Sequence, residues 1–159
     1  MRFTALLAGA LGAALHAQGV NDVGLTMNGA STGQIFGQSC GPVGCTPFTG
    51  GTIPFGASRQ LTHWAVINTP YAIAIALPQP CWQFPGIAND ILLAPPIVTL
   101  AVGVVSQPAL TAACRQAVAR ATLVLPPAGP SGIVVRLQSL GVSGSGAFAF
   151  GPAIEVTVL

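Results

Sequence analysis

The sequence predicts an all-β protein: a single antiparallel β-sandwich or jelly-roll-like domain with at most one short helix. Three observations carry that expectation. The 159 residues include 14 prolines and 20 glycines, which recur at short intervals as turn punctuation. The segments between them are short and β-prone, the pattern of strands joined by turns. Nearly every such segment is bracketed by proline, which cannot continue a hydrogen-bonded ladder. In a chain only 5% charged, proline takes the gatekeeper role against aggregation that charge usually fills.

The elements follow in order. Residues 1–17 read as an export signal. Arg2 supplies the positive start and an apolar run follows from Phe3 to Leu15. Leu15-His16-Ala17 ends in a small residue at the cut, leaving Gln18 as the new N-terminus. The run is short of the roughly 20 residues a membrane-spanning helix needs. The later apolar stretch 91–105 is broken by Pro95-Pro96 and is also too short, so no membrane span is expected. Residues 18–159 are then one secreted domain, long enough for a genuine core.

Strands are expected at 23–27 and 52–55, then at 60–68 (QLTHWAVIN), which stops at Thr69-Pro70. Segment 72–77 (AIAIAL) stops at Pro78-Gln79-Pro80, and a further short strand is expected at 81–84. Strand 97–105 ends before Pro108, and 117–125 runs into Pro126-Pro127. Strand 133–142 follows Gly129-Pro130-Ser131-Gly132, and 153–159 closes the chain. The stretch 109–122 is rich in helix formers; its first half is read as a helical turn after Pro108 and its second as a strand. In that strand Ala117, Ala119, Ala121, Leu123 and Leu125 share one face, with Val118, Arg120, Thr122 and Val124 on the other. The run 141–146 (GVSGSG) is read as a hairpin loop joining the last strands.

Export places Cys40, Cys45, Cys81 and Cys114 in an oxidising compartment, where two disulfides are the default. Cys40 and Cys45 bracket a four-residue turn, so they are expected to pair, leaving Cys81 for Cys114. A zinc site is the alternative. It is disfavoured because His63 is the one histidine after the leader and the cysteine spacings fit no paired-ligand knuckle.

From Pro70 onward the chain resembles a loosely related group of secreted proteins and C-terminal modules of planctomycetes and similar bacteria, poor in charge and rich in Ala, Gly, Leu and Pro. The matching runs are Pro80-Cys-Trp-Gln-Phe-Pro-Gly86, Ala121-Thr-Leu-Val-Leu-Pro-Pro127, Gly132-Ile-Val-Val-Arg-Leu-Gln-Ser-Leu140 and Phe150-Gly-Pro-Ala-Ile-Glu-Val-Thr-Val158. The resemblance implies a secreted β-sandwich-like domain and supplies no active site.

Little catalytic chemistry is available. There is no lysine, and the arginines after the leader are Arg59, Arg115, Arg120 and Arg136. The acids are Asp22, Asp90 and Glu155. Phosphate-backbone affinity needs clustered cations, so nucleic acid is not an expected partner. His63 is the one candidate general base, read as a polar-face neighbour on the strand carrying Trp64. A hydrolase around it has no nucleophile-elbow motif, since neither Ser143 nor Ser145 is flanked correctly by glycine. Asp22 and Asp90 follow asparagines and read as turn residues; a calcium loop from Asn21, Asp22, Asn89 and Asp90 lacks the required motif. Glu155 is expected to pair with Arg136 across neighbouring strands. No cofactor or metal site is read.

Two binding functions remain. Trp64, Tyr71 and Trp82, with Asn68 nearby, are the candidate residues of a small carbohydrate-binding platform, the partner being a polysaccharide. The leading expectation is a non-catalytic secreted or cell-surface assembly protein. Its partners are other copies of itself, as a homo-oligomer or polymer, or matrix components. Low net charge favours such association, and exposed strand edges offer a route to it.

Overall fold

The protein is described by a computed structural model over residues 22–109 and 117–159. Among these residues there is no helix. Eleven strands form two sheets packed face to face. Sheet I runs β2 (Ile35–Gln38), β1 (Gly24–Asn28), β4 (Ser58–Ala65), β8 (Ala117–Val124), β7 (Gln107–Pro108). Sheet II runs β3 (Phe48–Ile53), β11 (Ile154–Val158), β9 (Ile133–Val142), β5 (Pro70–Gln83), β6 (Asp90–Val104), with β10 (Phe148–Phe150) also on β9. The all-β sandwich expectation holds, with one departure: β3 and β11 run parallel. The expected leader (1–17) and the helical turn after Pro108 lie outside the described residues.

The core sits between the sheets and follows from side-chain alternation. Leu25, Met27, Leu61 and Leu123 of sheet I meet Ile53, Ile73, Leu137, Ile154, Val156 and Val158 of sheet II. In β5 the AIAIA run sorts cleanly: Ile73 and Ile75 point inward, while Ala72 and Ala74 line a cleft on the outer face. Strand β9 matches its sequence-predicted span, and β8 falls one residue short of it, with Ala117, Ala119 and Leu123 buried and Ala121 half-buried on one face. The 143–147 turn closes the β9–β10 hairpin, where Ser143 N–H donates to Ala147 O.

Prolines end fewer strands than the sequence suggests. Residues 72–77 and 81–84 belong largely to one strand, β5, which continues through Pro78 and Pro80. Strand β6 likewise continues through Pro95-Pro96, a cis pair, and starts at Asp90 rather than residue 97. Pro95-Pro96 and Pro80 fall at register shifts: Ile75 faces Val98 and Leu77 faces Ala94, and after Pro78, which still faces Leu93, pairing resumes at Trp82 opposite Ile91. The residues inside a bulge need not pair, so a missing N–H there breaks no ladder bond.

These irregular segments are fastened from β9. Buried Gln138 accepts from Leu92 N–H at 3.0 Å and donates to Asp90 O at 2.8 Å and Gly151 O at 3.0 Å. Arg136 pairs with Glu155 at 2.9 Å, as expected from the sequence, and also donates to Gln79 O at 2.7 Å inside the β5 bulge. Arg136→Leu removes both charge-assisted bonds. It is expected to lower unfolding free energy by about 2 kcal/mol, read as a lower denaturant midpoint at unchanged slope.

The disulfide pattern corrects the sequence expectation. Cys45 is joined to Cys81, with a Cα–Cα distance of 5.2 Å; the expected Cys40–Cys45 and Cys81–Cys114 pairs are therefore not formed. Cys40 is itself disulfide-bonded, and Cys114 lies outside the described residues. Short spacing favoured Cys40–Cys45, but the fold carries the loop of Cys45 to the bulged end of β5, where Cys81 stands.

Candidate functional site

His63, the sequence candidate for a general base, is sealed in the interior. Along β4 the buried residues are Leu61, His63 and Ala65, while Thr62 and Trp64 face outward. The strand alternates as its sequence predicts, but His63 lies on the core face rather than the polar one. Its ring stacks on Tyr71 at 5.2 Å between centroids and 19° between planes. Gly141 of β9 lies so close that a Cβ there would fall 2.6 Å from His63 Nε2. Glycine at 141 is thus what lets β9 pass over the imidazole.

The environment of His63 suits a neutral ring. Desolvation by burial pulls its pKa down from 6.5 to about 4, partly offset by the Gly24 backbone. That backbone contact falls short of hydrogen-bond geometry, and both ring nitrogens are buried without a hydrogen-bond partner. No carboxylate orients the ring: Glu155 is held by Arg136, Asp22 accepts from Gly144 N–H, and Asp90 lies beside the disulfide. The nearby Ser139 hydroxyl is directed at Gly24 O. A buried imidazole with neither substrate access nor an acid partner has the geometry of a packed core residue.

The four residues proposed from sequence for carbohydrate do not form one surface. Tyr71 packs inward on His63. Asn68 occupies the turn after β4, at φ 61°. Trp82 stands at the far end of β5 in sheet II, 56% exposed, edge-on to Phe84 at 5.7 Å. Only Trp64 lies on a sheet face with polar neighbours, and its indole Nε1 donates to Thr26 Oγ1 at 3.1 Å. Cys45, Cys81 and Asp90 come close enough to resemble a metal cluster. Both sulfurs are already bonded to each other, so Asp90 Oδ2 merely touches Cys45 Sγ at 3.4 Å.

The two outer faces differ in character. Across sheet I runs an open trough of about 490 Å³, with Trp64, Thr62 and Gln60 on its floor and Asn28, Gln107 and Arg120 around them. Sequence reasoning missed these partners because they come from four strands and only register brings them together. Sheet II carries instead an apolar cleft of about 130 Å³, lined by Ala72, Ala74, Leu93, Ile97, Leu140 and Phe150 among others. Val102 pairs with Ala72 and Val104 with Pro70, so both valines lie on the cleft side of the sheet. They are 71% and 56% exposed.

Strand edges differ as well. In sheet I the edge strands β2 and β7 have only four and two residues. In sheet II, β6 has 15 residues and, among the described residues, pairs with β5 alone. No helix among the described residues is long and apolar enough to cross a membrane. No family model, curated protein or solved structure matches this chain.

Proposed function

We propose that this chain is a non-catalytic, exported assembly domain that joins copies of itself through the outer face of sheet II. The observation that carries this reading is the free edge of β6 beside an apolar surface. Between Ile97 and Val104 the strand contains no charged residue and no proline. Alternate backbone groups along it point away from β5, and among the described residues they have no ladder to join. A strand edge is complemented best by another strand edge, which makes a second copy the occupant. Ile97, Val102 and Val104 add exposed apolar area next to that edge.

Charge supports the same reading. With a formal net charge of +2 over the whole chain, copies repel one another weakly. The apolar start of the sequence and the disulfides support export. The buried, acid-free setting of His63 supports a function without catalysis.

The test is the association state of residues 18–159 by sedimentation velocity from micromolar to millimolar concentration. Concentration-dependent dimers or larger species are expected. Val102→Lys, which places charge on the exposed face without touching the core, is expected to stay monomeric with an unchanged melting curve. A wild-type protein that remains strictly monomeric across the range overturns the reading, as does association that Val102→Lys leaves intact.

A further inference from the structure

We infer that the outer face of sheet I is a binding face for a glycan chain bearing acidic sugars, with a sugar ring against Trp64 and a carboxylate on Arg120. This surface lies on the opposite side of the sandwich from the assembly face and does not depend on it. Its side chains stand in rows fixed by strand pairing. Thr26, Thr62 and Arg120 form one row, because Thr26 pairs with Thr62 and Thr62 with Arg120. Trp64, Val118 and Gln107 form the next row. Asn28 and Gln60 sit on the other side, their amides 3.4 Å apart.

The chemistry of these rows matches a sugar chain. Among the described residues the trough's lining offers one aromatic ring, with amides and hydroxyls around it and no lysine or carboxylate. Aromatic side chains combine a large apolar face with a polar handle, and here the handle is used to fix the ring: Trp64 Nε1 is committed to Thr26. That bond holds the indole in place before any ligand arrives, so less side-chain freedom is lost on binding. Neutral amides and hydroxyls both donate and accept, as sugar hydroxyls do.

Arg120 sets the charge of the ligand. The three side-chain carboxylates of the protein are Asp22, Asp90 and Glu155. Each is engaged elsewhere, at Gly144, at the Cys45–Cys81 disulfide and at Arg136. Arg120 is exposed in the trough, with no side-chain carboxylate of its own chain to meet it. A guanidinium fork suits a sugar carboxylate, which it can hold through two parallel hydrogen bonds. Arg120 is a diagonal neighbour of Trp64, at the roughly 7–8 Å spacing of such pairs, so one chain can lie across both. One arginine among the described lining residues is too little for a nucleic-acid backbone.

Tryptophan fluorescence tests this, since the chain has two tryptophans and Trp82→Phe leaves Trp64 as the reporter. Oligogalacturonate is expected to shift that emission, with affinity falling as salt rises. Neutral cello-oligosaccharides are expected to bind at least tenfold more weakly. Arg120→Gln should weaken oligogalacturonate at least tenfold and leave the neutral probe unchanged. Trp64→Ala, followed by calorimetry, should abolish both, while Trp64→Phe keeps a ring and retains part of the affinity, which covers the case in which the alanine variant fails to fold. Val102→Lys should bind as wild type does, separating this site from the assembly face. No response to either probe overturns the inference, as does binding indifferent to both Trp64→Phe and Arg120→Gln. Equal affinity for the two probes overturns the acidic-sugar assignment.

Discussion

Replacing Cys45 and Cys81 together with serine is expected to lower unfolding free energy by about 4 kcal/mol. The bridge closes a loop with a sequence separation of 36, and the chain-entropy model assigns a loop of that size roughly this much. The local setting adds to the argument. Cys81 lies in the β5 bulge between Pro78 and Trp82, where regular pairing with β6 lapses. Cys45 belongs to the loop between β2 and β3, a segment with no strand pairing of its own that also carries the disulfide-bonded Cys40 and the Gln38 Nε2 to Pro42 O bond. The double variant avoids leaving a single reactive thiol to exchange with the remaining bridge. Denaturant unfolding of both proteins at neutral pH checks the figure. A loss below about 1 kcal/mol would mean that the unfolded chain is already compact across this loop.

The second large effect is a pH dependence centred on His63. In the unfolded chain its imidazole titrates near 6.5, whereas burial holds it at about 4 in the folded protein. Between those values the unfolded state carries the extra proton, so stability rises with pH across this window. Falling from neutral pH to 4, the protein is expected to lose roughly 3 kcal/mol from this group alone. His63→Leu keeps an apolar side chain of fitting size and removes the titration. Its stability should be nearly flat over the same window, apart from the carboxylates. Parallel denaturant melts between pH 4 and 7 make the comparison, and a wild type as flat as the variant would refute it.

The sequence disclosed much of the fold because its local signals and the tertiary structure agree. Strand β9 was legible to the residue because a Gly-Pro-Ser-Gly turn precedes an unbroken β-prone run. Strands β5 and β6 are longer than the sequence predicts, because proline does not terminate them. A bulge removes the ladder bond that proline would break, and a bulge is a property of two paired strands rather than of one. The short strands β2, β7 and β10 were missed for the same reason: they exist through their neighbours.

The site was less legible. The signal for His63 was present, because Leu61 and Ala65 flank it on one face while Gln60, Thr62 and Trp64 share the other. Trp64 is a candidate platform residue in the sequence, but its partner Thr26, which accepts from the indole N–H, is 38 residues away and visible only in the sheet. Nothing in the linear order announces that Arg120, Asn28 and Gln107 stand beside it. The cysteine pairing failed likewise: proximity along the chain is a weak guide once β5 carries Cys81 out to the loop of Cys45.

The opposed characters of the two outer faces have a consequence for avidity. Two copies joined antiparallel at their β6 edges, about a two-fold axis normal to the sheet, would extend sheet II and leave both sheet I troughs open on the same side of the pair. Neither trough would be covered, and the pair would be bivalent by geometry alone. Its two sites would be set too far apart to clasp one short oligosaccharide together, so a pair would bridge separate chains or hold one long chain at two points. Weak attachment at each trough would then be multiplied by effective concentration wherever strands of polymer lie close, and the protein would behave as a cross-link whose strength depends on how densely its ligand is packed.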